Sequence, residues 1–263
     1  MRAFLFAKIR MSTMLAPNFQ HILKIFMKKI LIICLLAIFS LSAHEQPTCG
    51  KTFCATLDNC EEFIDLRIID DPASKEDLLR EILTLRHPLV VDFTEKELSP
   101  IASLYGFLFP PTTLERVKFF FEKYEGKIIT AYLNEELVGF LALTNASVFT
   151  ELSHDPNYGS FTCTENLVAL EQDFLTKRIG YVTEIAVKPG YYKKGIGTSL
   201  IHAAKRLMPQ GLVADIFVYP FANNASLSFF AKKNFREIGV FHLKHPDTLS
   251  ALRTRVVYWT PDS

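Results

Sequence analysis

The stretch Tyr181–Leu207, YVTEIAVKPGYYKKGIGTSLIHAAKRL, leaves this chain few folds to choose from. A short apolar run, Ile185-Ala186-Val187, reads as a strand, and Lys188-Pro189-Gly190 ends it. A basic, glycine-bearing loop follows, Lys193-Lys194-Gly195-Ile196-Gly197. Leu200, Ile201, Ala204 and Leu207 then recur at helical spacing. Strand, glycine loop and helix in this order make a phosphate site. The first amides of the helix have no internal acceptor, and the helix dipole favours negative charge there. Gly195 and Gly197 lack a Cβ, so ligand oxygens can approach the main chain.

Two common phosphate loops fail on particular residues. A dinucleotide fingerprint needs a third glycine where Leu200 stands, and a nucleotide-triphosphate loop needs Lys where Ile196 stands. The pattern that remains, Tyr192-Lys193-Lys194-Gly195-Ile196-Gly197 after Ala186-Val187-Lys188-Pro189, resembles motif A of the GNAT acetyltransferase superfamily. The resemblance implies acetyl-coenzyme A as co-substrate. Its pyrophosphate would lie on the loop Tyr192, Lys193, Lys194, Gly195, Ile196, Gly197 and Thr198. Its pantetheine arm would lie along Ile185, Ala186 and Val187. Tyr192 departs from the family's usual Arg or Gln, and the two lysines supply positive charge as point charges in place of a fork.

A second segment is similar to the family's motif B. After the apolar run Leu212–Val218 comes Asn223-Asn224-Ala225-Ser226-Leu227-Ser228-Phe229-Phe230-Ala231-Lys232-Lys233-Asn234-Phe235. Asn223 suits a helix N-cap and counts among the residues expected at the coenzyme. Asn234 stands where the family has Gly, at a left-handed helix end that Asn tolerates. Phe230 stands where many members carry a Tyr that reprotonates the coenzyme thiolate, and a phenylalanine has no such proton. Tyr219, at the end of the preceding strand, is the expected stand-in acid. Packing alone would also account for that ring. Glu184, on the motif A strand among apolar neighbours that raise a carboxyl, is the expected general base. Strand alternation leaves a solvated side open to it as well.

The 263 residues, 49% apolar and 22% charged, describe a globular chain, and the net charge of +1 gives no electrostatic case for nucleic acid. Met27-Lys28-Lys29, the apolar Ile30–Phe39 and the small residues Ser40-Leu41-Ser42-Ala43 read as a secretory signal with a start at Met27. The competing reading is an uncleaved anchor with its basic end in the cytoplasm, associated with the membrane through this segment. Cys49, Cys54, Cys60 and Cys163 fit up to two disulfides in an exported chain, within the first three and out to Cys163. Their spacing fits no zinc site, and no metal is expected. Export conflicts with a cytosolic donor. A cytoplasm-facing domain, delivery into a donor-containing cell, and a loop that outlived its reaction all resolve the conflict.

The expected domains are a leader over 1–43, a Cys-containing linker over 44–62 and an acetyltransferase domain over 63–263. Within the last, strands are expected at Glu61–Asp70, Lys127–Leu133, Glu136–Thr144, Glu237–Leu243 and Arg253–Thr260, besides the motif strands. Helices are expected at Ser74–Arg86, capped by Ser74, and at Glu95–Leu108 and Thr113–Tyr124. Asn145–Arg178 reads as irregular apart from a short helix near Leu167–Phe174. This order implies the mixed α/β, α+β GNAT-like fold, a mostly antiparallel twisted sheet splayed between two parallel strands and flanked by helices. The activity implied is transfer of an acetyl group to a small-molecule or peptide amine. A non-catalytic acyl-coenzyme-binding module and an exported interaction protein are the alternatives.

Overall fold

A computed structural model describes residues 52–56, 63–91, 106, 108, 113–155, 158–244 and 252–261, all within the compact unit Gly50–Ser263. The expected leader, Cys34, Cys49, Cys60 and most of the helix expected at Glu95–Leu108 lie outside these residues.

The described strands are β1 (Thr52–Thr56), β2 (Phe63–Ile69), β3 (Lys127–Leu133), β4 (Glu136–Asn145), β5 (Gly159–Cys163), β6 (Gly180–Val187), β7 (Leu212–Tyr219), β8 (Arg236–Leu243) and β9 (Leu252–Trp259). They form one sheet in the order β1-β2-β3-β4-β6-β7-β9-β8-β5. Every neighbouring pair is antiparallel except β6 and β7. That parallel pair holds only through Gly180↔Leu212, Tyr181↔Val213 and Val182↔Ala214. Beyond Val182 the two strands part, which gives the splayed, mixed sheet expected from the motif order.

The helices are α1 (Glu76–Arg86), α2 (Leu114–Tyr124), α3 (Ser147–His154), α4 (Leu167–Thr176), α5 (Ile196–Leu207) and α6 (Asn224–Ala231). One face of the sheet packs on α5. Leu66, Ile129, Leu141, Leu143, Val182, Ala214 and Ile216 meet Ile196, Leu200, Ile201 and Ala204 there. The other face is covered in two parts. Leu79, Ile82 and Leu85 of α1 and Phe121 of α2 lie over Ile128, Phe140 and Ala186. Phe149 of α3 and Leu170 and Phe174 of α4 lie over Tyr181, Val213, Val256 and Tyr258.

Local chemistry explains most boundaries. The β3–β4 hairpin turns on Asn134 and Glu135, both left-handed (φ 49° and 66°), as a tight hairpin requires. Thr113 caps α2 by accepting from the Arg116 amide at 3.3 Å. Asn166 and Asn223 cap α4 and α6 in the same way, at 3.3 and 3.2 Å. Asn234 takes the left-handed conformation expected of it (φ 62°), with the Phe235 amide donating to the Phe230 carbonyl at 3.1 Å.

Five expectations need correction. The helix expected from Ser74 begins at Glu76 without a side-chain cap, because the Ser74 hydroxyl donates instead to the Asp71 carbonyl at 3.0 Å. Asn145–Arg178 is not irregular. Besides the helix expected near Leu167–Phe174, which is α4, it holds α3 and β5, both too short for a clear period. Thr52–Thr56, inside the expected linker, pairs with Phe63–Arg67 as an edge strand. Leu108 forms a parallel bridge with Val90 and no helix end. Among the described residues, Cys163 carries a free thiol that donates to the Ile238 carbonyl at 3.3 Å, so it is not bridged. Among them, too, no helix is long and apolar enough to cross a membrane.

Candidate active site

The site begins where β6 runs out. β4 pairs with it as far as Gly139↔Val187, and β7 leaves it after Val182. The edge of β6 that faces β7 is therefore bare of any described strand at Ile185–Val187. Extended backbone with one unused edge offers amides and carbonyls to an elongated polar ligand.

The chain then turns through Gly190 (φ 91°) and Lys193 (φ 61°) to Gly195 (φ 84°), the N-cap residue of α5. The Ser199 amide is the first with a helical acceptor, the Gly195 carbonyl at 3.0 Å. The preceding amides, at Ile196, Gly197 and Thr198, have no partner within the helix by geometry and point out of its N-terminus. Gly139 on β4 lets α5 come this close. A Cβ there would meet the Ala186 carbonyl oxygen and Ile196 Cγ2, each at 3.0 Å.

Edge and amides open into one cleft of about 260 Å³. Of the residues expected at the coenzyme, Ile185, Ala186, Val187, Tyr192, Lys193, Gly195, Ile196, Gly197 and Thr198 line it. Lys194 does not, and its ammonium lies 5.0 Å over the Tyr191 ring. Asn223 does not either. It is buried as the α6 cap, with Oδ1 2.8 Å from where a Cβ on Gly106 would stand. The opposite wall, Leu89, Gly106, Leu108, Ala225, Ser226 and Phe229, was not legible beforehand. Only the fold carries these residues to the loop.

Glu184 lies on the face away from α5. A bulge at Ala142/Leu143 pairs Ala142 with Glu184 and Leu143 with Val182, leaving Thr183 unpaired. Arg86, only 3% exposed, grips the Glu184 carboxylate with both arms. Nε donates to Oε2 at 2.8 Å, and the second arm reaches Oε1. Burial pushes the Glu184 carboxyl up, and the guanidinium opposes this without cancelling it. Nothing in the sequence marked Arg86 as this partner.

Tyr219 does not line the cleft. It pairs with Arg253 across β7 and β9, and that guanidinium stacks 4.8 Å over its ring. Phe230 is 3% exposed and turned into the core, edge-on to Phe235 at 4.9 Å. Its neighbour Phe229 takes the place on the cleft wall. Among the described residues no cluster of His, Cys, Asp and Glu could hold a metal.

The model of the acetyltransferase (GNAT) family matches residues 94–235, more than half of the chain. No curated protein matches significantly. Solved structures that resemble it include an N-acetyltransferase from Staphylococcus aureus Mu50, at 16% identity and TM-score 0.46, covering 75% of this chain and 98% of that one. Another is the ribosomal-protein-S18-alanine N-acetyltransferase from Escherichia coli, at 12% identity and TM-score 0.45, covering 74% of this chain and 93% of that one. With the splayed strands and glycine loop in place, the matched family settles the assignment: this chain belongs to the GNAT acetyltransferases, enzymes of acetyl-coenzyme A-dependent N-acetyl transfer.

Proposed function

We propose that this chain binds acetyl-coenzyme A in the cleft between β6 and α6 and passes its acetyl group directly to a primary amine in a ternary complex. The observation that carries the reading is the union of two unsatisfied backbone sets in one cleft. The amides of Ile196, Gly197 and Thr198 would hold the pyrophosphate, with Lys193 beside them. The bare edge at Ile185–Val187 would hold the pantetheine arm. The thioester would then lie toward the point where β6 and β7 part.

There a neutral amine nitrogen attacks the thioester carbonyl carbon. The C–N bond forms, the C–S bond breaks, and sulfur leaves as thiolate. Positioning supplies most of the rate. Glu184, with its carboxyl raised by burial, is the proposed acceptor of the amine's proton. Phe230 carries no phenol and Tyr219 stands outside the cleft, so solvent is the proposed proton source for the thiolate.

Thermal shift with saturating acetyl-coenzyme A tests the binding step. The wild type should gain several degrees, since a ligand at about 100 times its Kd adds about 2.7 kcal/mol. Gly197→Glu should keep the unliganded Tm and lose that gain. It is a cleaner probe than a change at Gly195, whose positive φ any side chain would strain. At Gly197 a Cβ finds Phe229 at an ordinary 3.4 Å. No ligand-induced shift in the wild type would end the proposal. Binding without thiol release across amines would favour a non-catalytic module, the reading that Phe230 keeps open.

A cleaved secretory signal, with its apolar run at Ile30–Phe39, remains part of the proposal. N-terminal sequencing of the fractionated native protein tests it: a mature chain starting near residue 44 supports cleavage, and an intact Met27 end in the membrane fraction refutes it.

A further inference from the structure

The parting of β6 and β7 leaves one acidic group that the transfer chemistry above does not use. β7 pairs with β6 through Ala214, so Asp215 is the first residue past the split. Leu212, Ala214 and Ile216 pack toward α5, while Val213 packs on the opposite face with Tyr181. Asp215 shares that opposite face, because the Tyr181 hydroxyl donates to its Oδ1 at 2.7 Å. Tyr181 is nearly buried and held edge-on to Phe149 at 5.8 Å, so its hydroxyl has a fixed aim. Glu184 lies on the same face of the neighbouring strand, just past the bulge, where α1 brings Arg86.

The two carboxylates are treated differently. Glu184 has a guanidinium locked on it. Asp215 accepts from the Tyr181 hydroxyl, and among the described residues no Lys, Arg or His forms an ion pair with it. It is partly, not wholly, enclosed, and Tyr158 beside it is 39% exposed. Burial pushes its carboxyl up, against the pull of the Tyr181 hydroxyl. A carboxylate so placed is costly until an opposite charge arrives. On the acetyl-transfer reading, the group that brings such a charge to this face and level of the sheet is the acceptor amine.

We propose that Asp215, aimed by the Tyr181 hydroxyl, anchors the ammonium group of the acceptor at the split between β6 and β7, so that the enzyme takes alkylamines that are cationic at neutral pH in preference to neutral arylamines. This rests on the acetyl-transfer reading. It divides the labour on this face: Asp215 recruits the cationic nitrogen, and Glu184 receives the proton whose loss frees the lone pair for attack.

Thiol release from acetyl-coenzyme A by the full chain, with cadaverine, spermidine and lysine amide as alkylamines and aniline as the neutral control, tests it. Asp215→Asn should raise the KM of the best alkylamine about 10- to 100-fold, the worth of a hydrogen bond to a charged group. It should change kcat little, and leave the KM of aniline and the acetyl-coenzyme A thermal shift as in the wild type. Tyr181→Phe, which keeps the packed ring, should move the alkylamine KM in the same direction by less, and it stands in should the Asn variant fold poorly. An unchanged alkylamine KM in both variants, an equal rise for aniline, or no turnover of any alkylamine by wild type that binds the coenzyme would each overturn the assignment. Wild type that fails to bind acetyl-coenzyme A would instead remove the transfer reading itself.

Discussion

Arg86 and Glu184 show what one pair of residues does for this site. An arginine that is 3% exposed carries a large desolvation cost, and the two-armed grip on Glu184 offsets it. Arg86→Met would leave the Glu184 carboxylate enclosed without its counter-charge. The expected cost at pH 8 is about 3 kcal/mol, the range found when a buried pair loses one partner. The sign with pH follows from the direction of the shift. Burial holds the folded-state carboxyl above its unfolded value, and loss of the guanidinium raises it further. The penalty falls on the charged form, so it is present above that raised value and disappears as pH drops through it. Urea denaturation of both proteins should show their stability gap narrowing from pH 8 toward pH 5. A gap that widens on acidification would contradict this account of the pair. The sequence offered Glu184 through its apolar neighbours, but Arg86 is 98 positions away, and no local pattern joins the two.

At the scale of elements, the glycine loop works because α5 is pressed against the sheet. Gly139 makes that contact possible, and the strands behind it are buried from Leu137 to Thr144. Gly139→Ala would push a methyl group against a backbone oxygen, which cannot swing aside as a side-chain end can. The expected cost is about 1–3 kcal/mol, typical of overpacking. The displaced helix N-terminus should also bind acetyl-coenzyme A more weakly, measured by calorimetry at a temperature where the variant is folded. An unchanged Kd would show that the amides keep their aim without this contact. α5, α6 and their caps were legible because each is encoded in contiguous residues: left-handed Gly195, capping Asn223 and the terminal Asn234. β5 was not. In Gly159–Cys163 the inward face is Gly159, Phe161 and Cys163, with Phe161 its one strong strand former, and the strand exists because β8 offers it a partner.

For the whole molecule, the sheet extends further toward the N-terminus than the motif region requires. β1 covers β2 as an edge strand, pairing Thr52–Thr56 with Phe63–Arg67. A chain beginning at Phe63 should therefore melt lower than one beginning at Gly50. A difference of about 1–2 kcal/mol corresponds to roughly 2–8 °C for a domain of this size. Both should retain the acetyl-coenzyme A shift, because the cleft lies across β3, β4 and β6 from that edge. Equal melting temperatures would show that β1 adds nothing to the sheet's stability. From residues alone, this chain disclosed a glycine-bearing loop on a strand–helix unit and a second capped helix after it. Turn chemistry, capping and helical period act between near neighbours, so they can be read in order along the chain. Tertiary structure alone decided which side chains share the face at the split, namely Glu184 with Arg86 and Asp215 with Tyr181. Strand register, the bulge at Thr183 and the early parting of β6 from β7 set those meetings. They arise from long-range pairing of strands, for which a linear order of residues carries no distance.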